Sequence, residues 1–348
     1  MWLLGVLPAL LALEIGVMAA LSSDFGGDLR RELLPESRLL LHGIDPFAVW
    51  DSPPGSYSFI WPVPAAFLAA PFTVLPAGAA VAVFSALEIG ALVAALRILG
   101  VRDRRVYGVA FLWPATVSGF QSGNVTAFLA LLLAVAWSCR ERRFVPGIAI
   151  GLAVMLKIFL WPMAVWLAAT RRWASAAVAA AGGTIVLLSV LPFAGLSEYV
   201  RVMAHLGNHF GPKGMGVLGL ASQLGASLQV AQALGYAAGA AALALAWRRR
   251  SFAVAIAASL LLSPIVWLHY FVLLAVPIAI RSKTLSLLWG APLLLWVCTE
   301  STRGGAAWQT AVALACLTGV VAAADAAGGV RRPRVRGLTV PSPSLTSR

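Results

Sequence analysis

Long apolar runs, each closed by a short cluster of arginines, recur along almost the whole chain and leave it few ways to fold. A run of about 20 apolar residues matches the hydrocarbon thickness of a bilayer. In lipid, every backbone N–H and C=O must find its partner inside the protein, which favours helices. Charged residues make up 11% of the chain and apolar residues 60%, with a mean hydropathy of +0.88. A soluble domain carries about 25% charge. The chain therefore reads as an all-α polytopic integral membrane protein, and a soluble globular domain is excluded.

The net charge of +13 is in this setting a topology signal, because Lys and Arg accumulate on the cytoplasmic side of membrane proteins. Nucleic acid is not an expected partner. The basic clusters are Arg97 with Arg102, Arg104 and Arg105; Arg140, Arg142 and Arg143; Arg171 and Arg172; Arg248 to Arg250; Arg281 with Lys283; and Arg331 to Arg336. Placing all of them in the cytoplasm gives a consistent alternation of about 10–13 membrane segments. Seven of the 26 basic residues then fall on the opposite face: Arg30, Arg31, Arg38, Lys157, Arg201, Lys213 and Arg303. Contact with an anionic ligand is one reason for them to be there.

The first helix, Met1 to Leu21, is read as retained, with Glu14 inside it. A single membrane domain is expected over 1–330, followed by a disordered cytoplasmic tail over 331–348, rich in Arg, Pro and Ser. Val145–Leu156 and Ile158–Ala169 are too short for upright spans and read as half-helices meeting near Lys157. Three cysteines lie far apart in apolar segments, without metal-ligand spacing. Alanine and arginine dominate over isoleucine and lysine, a composition associated with GC-rich bacterial genomes.

Charge of the other sign is concentrated in one place. The loop over 22–61 holds six of the 13 carboxylates: Asp24, Asp28, Glu32, Glu36, Asp45 and Asp51. Asp28 and Glu32 are four apart and share a helical face, Leu29 and Leu33 lie on another, and Pro35 can begin a second short helix. An amphipathic helix pair on the outer surface of the membrane is expected. One of its carboxylates can serve as a general base toward an acceptor hydroxyl. The alternative is a solvated face whose acids neutralise Arg30, Arg31 and Arg38.

Four further stretches carry polar groups. Gln121 to Asn124 is a helix break or a set of donors for a polar substrate. Lys157 sits in an apolar run, where an ammonium needs a partner such as phosphate. Trp267 and His269 follow a helix-breaking Pro264 on the same face as the acidic loop. His205 and His209 have i, i+4 spacing, but no third ligand stands out, and no metal is expected.

Taken in order, these stretches form a pattern. Asp28-Leu29 leads to Gly43-Ile44-Asp45-Pro46-Phe47, then Trp61-Pro62-Val63-Pro64, Gln121 to Asn124, Gly147 to Trp173 with Lys157 and Pro162, and Ser263 to Tyr270. The series resembles glycosyltransferase family 87, integral-membrane GT-C mannosyltransferases that use polyprenyl-phosphate-mannose, from the first helix to about Ile280. The resemblance implies a GT-C fold and inverting transfer outside the bacterial plasma membrane, with a lipid-linked donor, a glycolipid or lipoglycan acceptor and no cofactor. It implies an aspartate base in the first extracytoplasmic loop, which Asp28 matches best. Arg31 and Glu32 stand where the family has an aromatic, Phe47 replaces a tyrosine, and Val63 interrupts the aromatic-Pro-Pro motif, so Asp24 remains a rival base. Lys157 and His269 are expected to bind phosphate, helped by Arg30 or Arg31, with Gln121, Asn124, Asp45 and Trp267 as further substrate contacts. A lipid-linked-sugar flippase, with Glu14, Glu88 and Lys157 lining a path, and an enzyme using another sugar such as arabinose are the competing readings.

Overall fold

The computed structural model describes residues 25–47, 61–298 and 305–326, with scattered residues between 6 and 21. Asp24, Asp51, Arg303 and the tail over 331–348 lie outside the described residues. Every regular element among those described is helical. A π-helical turn, Leu29–Leu33, runs into α1 (Leu34–Leu41). There follow α2 (Val63–Ala69), α3 (Ala77–Ile98), α4 (Arg104–Phe111), α5 (Pro114–Ser122), α6 (Thr126–Ser138), α7 (Val145–Leu156) and α8 (Pro162–Ala169). The second half holds α9 (Trp173–Val190), α10 (Leu196–Phe210), α11 (Val217–Gln223), α12 (Leu228–Arg249), α13 (Phe252–Leu262), a 3-10 stretch at Leu268–Leu274, α14 (Ala275–Arg281), α15 (Leu287–Gly290) and α16 (Ala307–Asp325).

Helices α3, α9, α12 and α16 are long and apolar enough to cross a membrane, and α5 with α6 makes a fifth candidate bent by 119°. The other apolar segments are broken into pieces of 10–17 residues. The expected series of membrane segments is therefore a mixture of full spans and half-length helices.

The breaks have local causes. Pro162 has no N–H to give, so α7 cannot continue into α8. Lys157 between them is extended, at φ −149° and ψ 110°, as the half-helix reading anticipated. Between α5 and α6, Gly123 adopts φ 68°, a left-handed conformation that ends a helix at little cost only for glycine. A Cβ there would also lie 3.2 Å from Gly26 Cα and 3.2 Å from Leu29 Cβ. The opening loop thus docks directly on this break, and Gly26 N donates to Gln121 O at 2.7 Å.

The chain alternates between two ends. At one, the described basic clusters meet. Ser138 Oγ donates to Ile98 O at 3.3 Å, Arg172 Nε to Arg140 O at 2.6 Å, Trp166 Nε1 to Arg250 O at 3.2 Å, and Leu285 N to Asp103 Oδ2 at 3.0 Å. The other end carries the opening loop, the α5–α6 break and Lys157. The π-turn and α1 are drawn into this end instead of lying flat on it: Leu29, Leu33, Leu34 and Leu40 are buried.

Helices α7 and α9 pack with small residues face to face, the arrangement that lets backbones approach in lipid. A Cβ on Gly147 would fall 2.3 Å from Ser175 O, and one on Gly182 would fall 2.6 Å from Gly151 Cα. Gly182→Val is expected to lower stability by roughly 1–3 kcal/mol or more through overpacking. Gly183→Ala, whose Cβ meets only Val154 Cγ1 at 3.9 Å, is expected to be tolerated. Thermal unfolding of both variants in detergent checks the pair.

Candidate active site

The site forms where the π-turn, the α5–α6 break, Trp61 and Lys157 converge. Asn124 is buried, and its Nδ2 donates to Asp28 Oδ2 at 2.5 Å. The amide cannot turn round, because Thr126 Oγ1 donates to Asn124 Oδ1 at 2.6 Å. One carboxylate oxygen of Asp28 is thereby fixed. The other carries no hydrogen bond among the described residues.

One turn further on, Glu32 Oε2 accepts from Trp61 Nε1 at 2.6 Å. The face of the same indole holds Lys157, whose Nζ lies 3.2 Å from the ring centroid. Lys157 is buried and interacts electrostatically with both Asp28 and Glu32. Burial, reinforced by the neighbouring Asp28 charge, pushes the Glu32 carboxyl up to about 8. Burial likewise pushes Glu36 up to about 7. This is not a solvated acidic face. Two carboxyl groups and one ammonium share a small buried volume, where charges interact far more strongly than in water.

His269 reaches the same neighbourhood from another direction. Its ring packs edge-on against Tyr270 at 4.7 Å, and Tyr270 in turn stacks on Phe159 at 4.8 Å and lies 5.8 Å from Lys157 Nζ. A Cβ on Gly119 would lie 3.6 Å from His269 Cβ, so the histidine backs onto α5 just ahead of the turn that presents Asn124. Glu88 approaches from α3. It is buried, neither of its oxygens has a hydrogen-bond partner among the described residues, and it lies within electrostatic range of Asp28.

The expected residues thus divide. Asp28, Asn124 and Lys157 come together, and His269 lies beyond the Tyr270 ring that faces Lys157. Arg30 and Arg31 project, part-buried, from the π-turn. Gln121 contributes its backbone carbonyl, while its side chain is exposed. Asp45 is occupied in a turn, its Oδ1 accepting from Phe47 N at 2.8 Å, and Trp267 packs against Phe210 at 6.0 Å. No group of three or more metal-ligating side chains occurs among the described residues, and His209 Nε2 lies 3.1 Å from Lys213 Nζ. Two members were missed as functional groups. Glu32 was visible as the i+4 neighbour of Asp28, whereas nothing local to Trp61 announces that its indole joins an acid to a lysine.

A multi-pass, all-helical membrane protein with one buried charged cluster at the end of its bundle is the class these features define. The model of glycosyltransferase family 87 matches residues 59–269. The chain belongs to that family and is a glycosyltransferase. No curated protein and no solved structure gives a match. The matched stretch takes in Trp61, Asn124, Lys157 and His269, while Asp28 and Glu32 precede it.

Replacing Asn124 by Leu leaves Asp28 without its donor. Loss of a hydrogen bond to a charged group is expected to lower stability by about 2 kcal/mol, measured by thermal unfolding in detergent. Glu32 gives a pH signature of definite sign. The folded protein holds this proton up to about 8, whereas the carboxyl's ordinary value is 4.5. The folded state therefore binds more protons across that window, and stability falls as pH rises through it. Melting curves of wild type and Glu32→Gln across the window are expected to diverge, with the shallower pH dependence in Glu32→Gln.

Proposed function

We propose that the chain moves a mannosyl residue from polyprenyl-phosphate-mannose to a hydroxyl of a glycolipid or cell-envelope glycan. The reaction runs on the extracytoplasmic face of a bacterial plasma membrane, on a GT-C scaffold. The observation that carries this reading is the Asp28 carboxylate, fixed by a buried Asn124 and set beside a buried lysine, in a chain of glycosyltransferase family 87.

The chemistry is a single displacement with inversion. The acceptor oxygen attacks the anomeric carbon from the side opposite the phosphate, and the bond from that carbon to the phosphate oxygen breaks. Asp28 takes the hydroxyl proton as the new bond forms, the role of a general base. The departing polyprenyl phosphate keeps the electron pair of the broken bond and gains negative charge, which a positioned cation stabilises without proton transfer. Lys157 and His269 supply that stabilisation, with Arg30 and Arg31 at the margin. No cofactor enters, the lipid-linked sugar being a substrate. The outward sidedness is supported by the described arginine clusters, which gather at the far end of the bundle and belong in the cytoplasm by the positive-inside rule.

Purified protein in proteoliposomes, given radiolabelled polyprenyl-phosphate-mannose and an envelope lipid extract, is expected to label the acceptor. Asp28→Asn is expected to reduce transfer by at least about 100-fold, the lower range for a general base, while Asp24→Asn retains it. Lys157→Met is expected to raise the KM for the donor. Transfer that survives Asp28→Asn and dies with Asp24→Asn moves the base to Asp24. Labelling with polyprenyl-phosphate-arabinose in place of the mannose donor refutes the mannose assignment.

A further inference from the structure

Asp28, Glu32 and Lys157 present a problem of charge. Two carboxylates and one ammonium leave a net negative charge if all are ionised, and a phosphate donor must enter beside them. Trp61 bears on this directly. Its ring edge donates to Glu32 at 2.6 Å while its ring face holds Lys157 at 3.2 Å. The two groups are thus held by one rigid side chain and kept apart by it, where a direct ion pair would cancel the lysine.

We infer that Glu32 is a positioning residue for the donor phosphate. Placed by Trp61 and kept neutral by burial and the neighbouring carboxylates, it leaves the Lys157 ammonium available to the phosphate oxygens instead of neutralised by a second carboxylate. The inference rests on the lipid-phosphate donor reading above.

The surroundings agree with it. The groups facing Glu32 are Asp28 and Glu36 on its own helix, the Trp61 indole, and Lys157. Arg30 and Arg31 leave the same turn, and Glu88 faces Asp28 from α3. Helix α2, which packs against the π-turn, carries no titratable side chain. Of the neighbours, Asp28 and Glu36 oppose ionisation of Glu32, as burial does, and Lys157 and the Trp61 hydrogen bond favour it. The balance retains the proton at neutral pH, in line with the rule that closely spaced like charges do not both ionise.

The test measures protonation and phosphate binding separately from transfer. Infrared spectra of wild type minus Glu32→Gln near pH 7 are expected to show a protonated carboxyl band belonging to Glu32, which fades as pH passes about 8. Binding of polyprenyl phosphate, measured from about pH 6 to about pH 10, is expected to weaken by up to tenfold per unit above that ionisation in wild type. In Glu32→Gln the affinity is expected to fall less steeply over the same range, through the Lys157 ammonium alone. Trp61→Phe removes a hydrogen bond that favours the ionised acid, so its decline is expected at higher pH than in wild type. An ionised Glu32 at neutral pH overturns the proposal. So does a decline that persists unchanged in Glu32→Gln, which assigns it to loss of the Lys157 proton. Because the infrared band and polyprenyl phosphate binding need no turnover, they decide the role of Glu32 even if wild type fails to transfer mannose. Such a failure sinks the mannosyl-donor reading alone.

Discussion

The burial of Lys157 is the constraint around which the active end of this protein is arranged. An ammonium enclosed by protein within an apolar bundle must be compensated. The compensation here comes from two separate parts of the chain: the face of Trp61 at 3.2 Å, and the π-turn, through the charge of Asp28. None of these residues is near Lys157 in sequence. Bringing them together requires that the opening loop fold back onto the bundle. It also requires that the helix carrying Lys157 stop at that residue, so that an extended backbone turns the side chain toward the loop.

The helix breaks follow from the same requirement. A continuous helix satisfies its own backbone and presents side chains only along its flanks, whereas an interrupted one frees a few residues to aim polar groups at a common point. Two interruptions do this work, at Lys157 and at Gly123-Asn124, and a third at Ser263–Trp267 precedes His269. Each resolves its own backbone within the protein, as lipid demands. Lys157 N bonds to Ala153 O at 2.9 Å, Asn124 N to Gly119 O at 3.0 Å, and Val266 O accepts from Met215 N at 2.7 Å. Gly26 and Gly123, both at positive φ, are the points where loop and break touch. The small-residue seam between α7 and α9 holds the half-helix that ends at Lys157 against a full span.

Much of this was legible in the sequence because it follows from composition and simple steric rules. The helical class, the break at Lys157, the shared face of Asp28 and Glu32, and the gathering of arginine clusters at one end can each be read from a short window. What could not be read is pairing across the chain. Asn124 was visible as a polar residue in a turn, but not that it would hold Asp28, ninety-six positions away, at 2.5 Å. Trp61 looked like one part of an aromatic-proline motif. Asp45 was expected as a substrate contact from the resemblance, and its Oδ1 accepts from the backbone two residues on within the turn that its sequence predicts. Local spacing reports which groups share a face. It does not report which face another segment will cover.

The distribution of buried charge also bears on how a protein of this composition works. A path across the membrane needs ionisable groups spaced along its length, each solvated in turn. Among the described residues, the buried carboxyl and ammonium groups outside the basic end collect around Asp28. Lys157 and Glu32 interact with it, Glu36 with Glu32, and Glu88 lies in its field from α3. Glu14, the other acid named for such a path, is exposed. Closely clustered charges in a low-dielectric volume interact too strongly to be titrated independently. They are suited to fixing the protonation state of one another at a single point, as the proposed base beside an anionic leaving group requires.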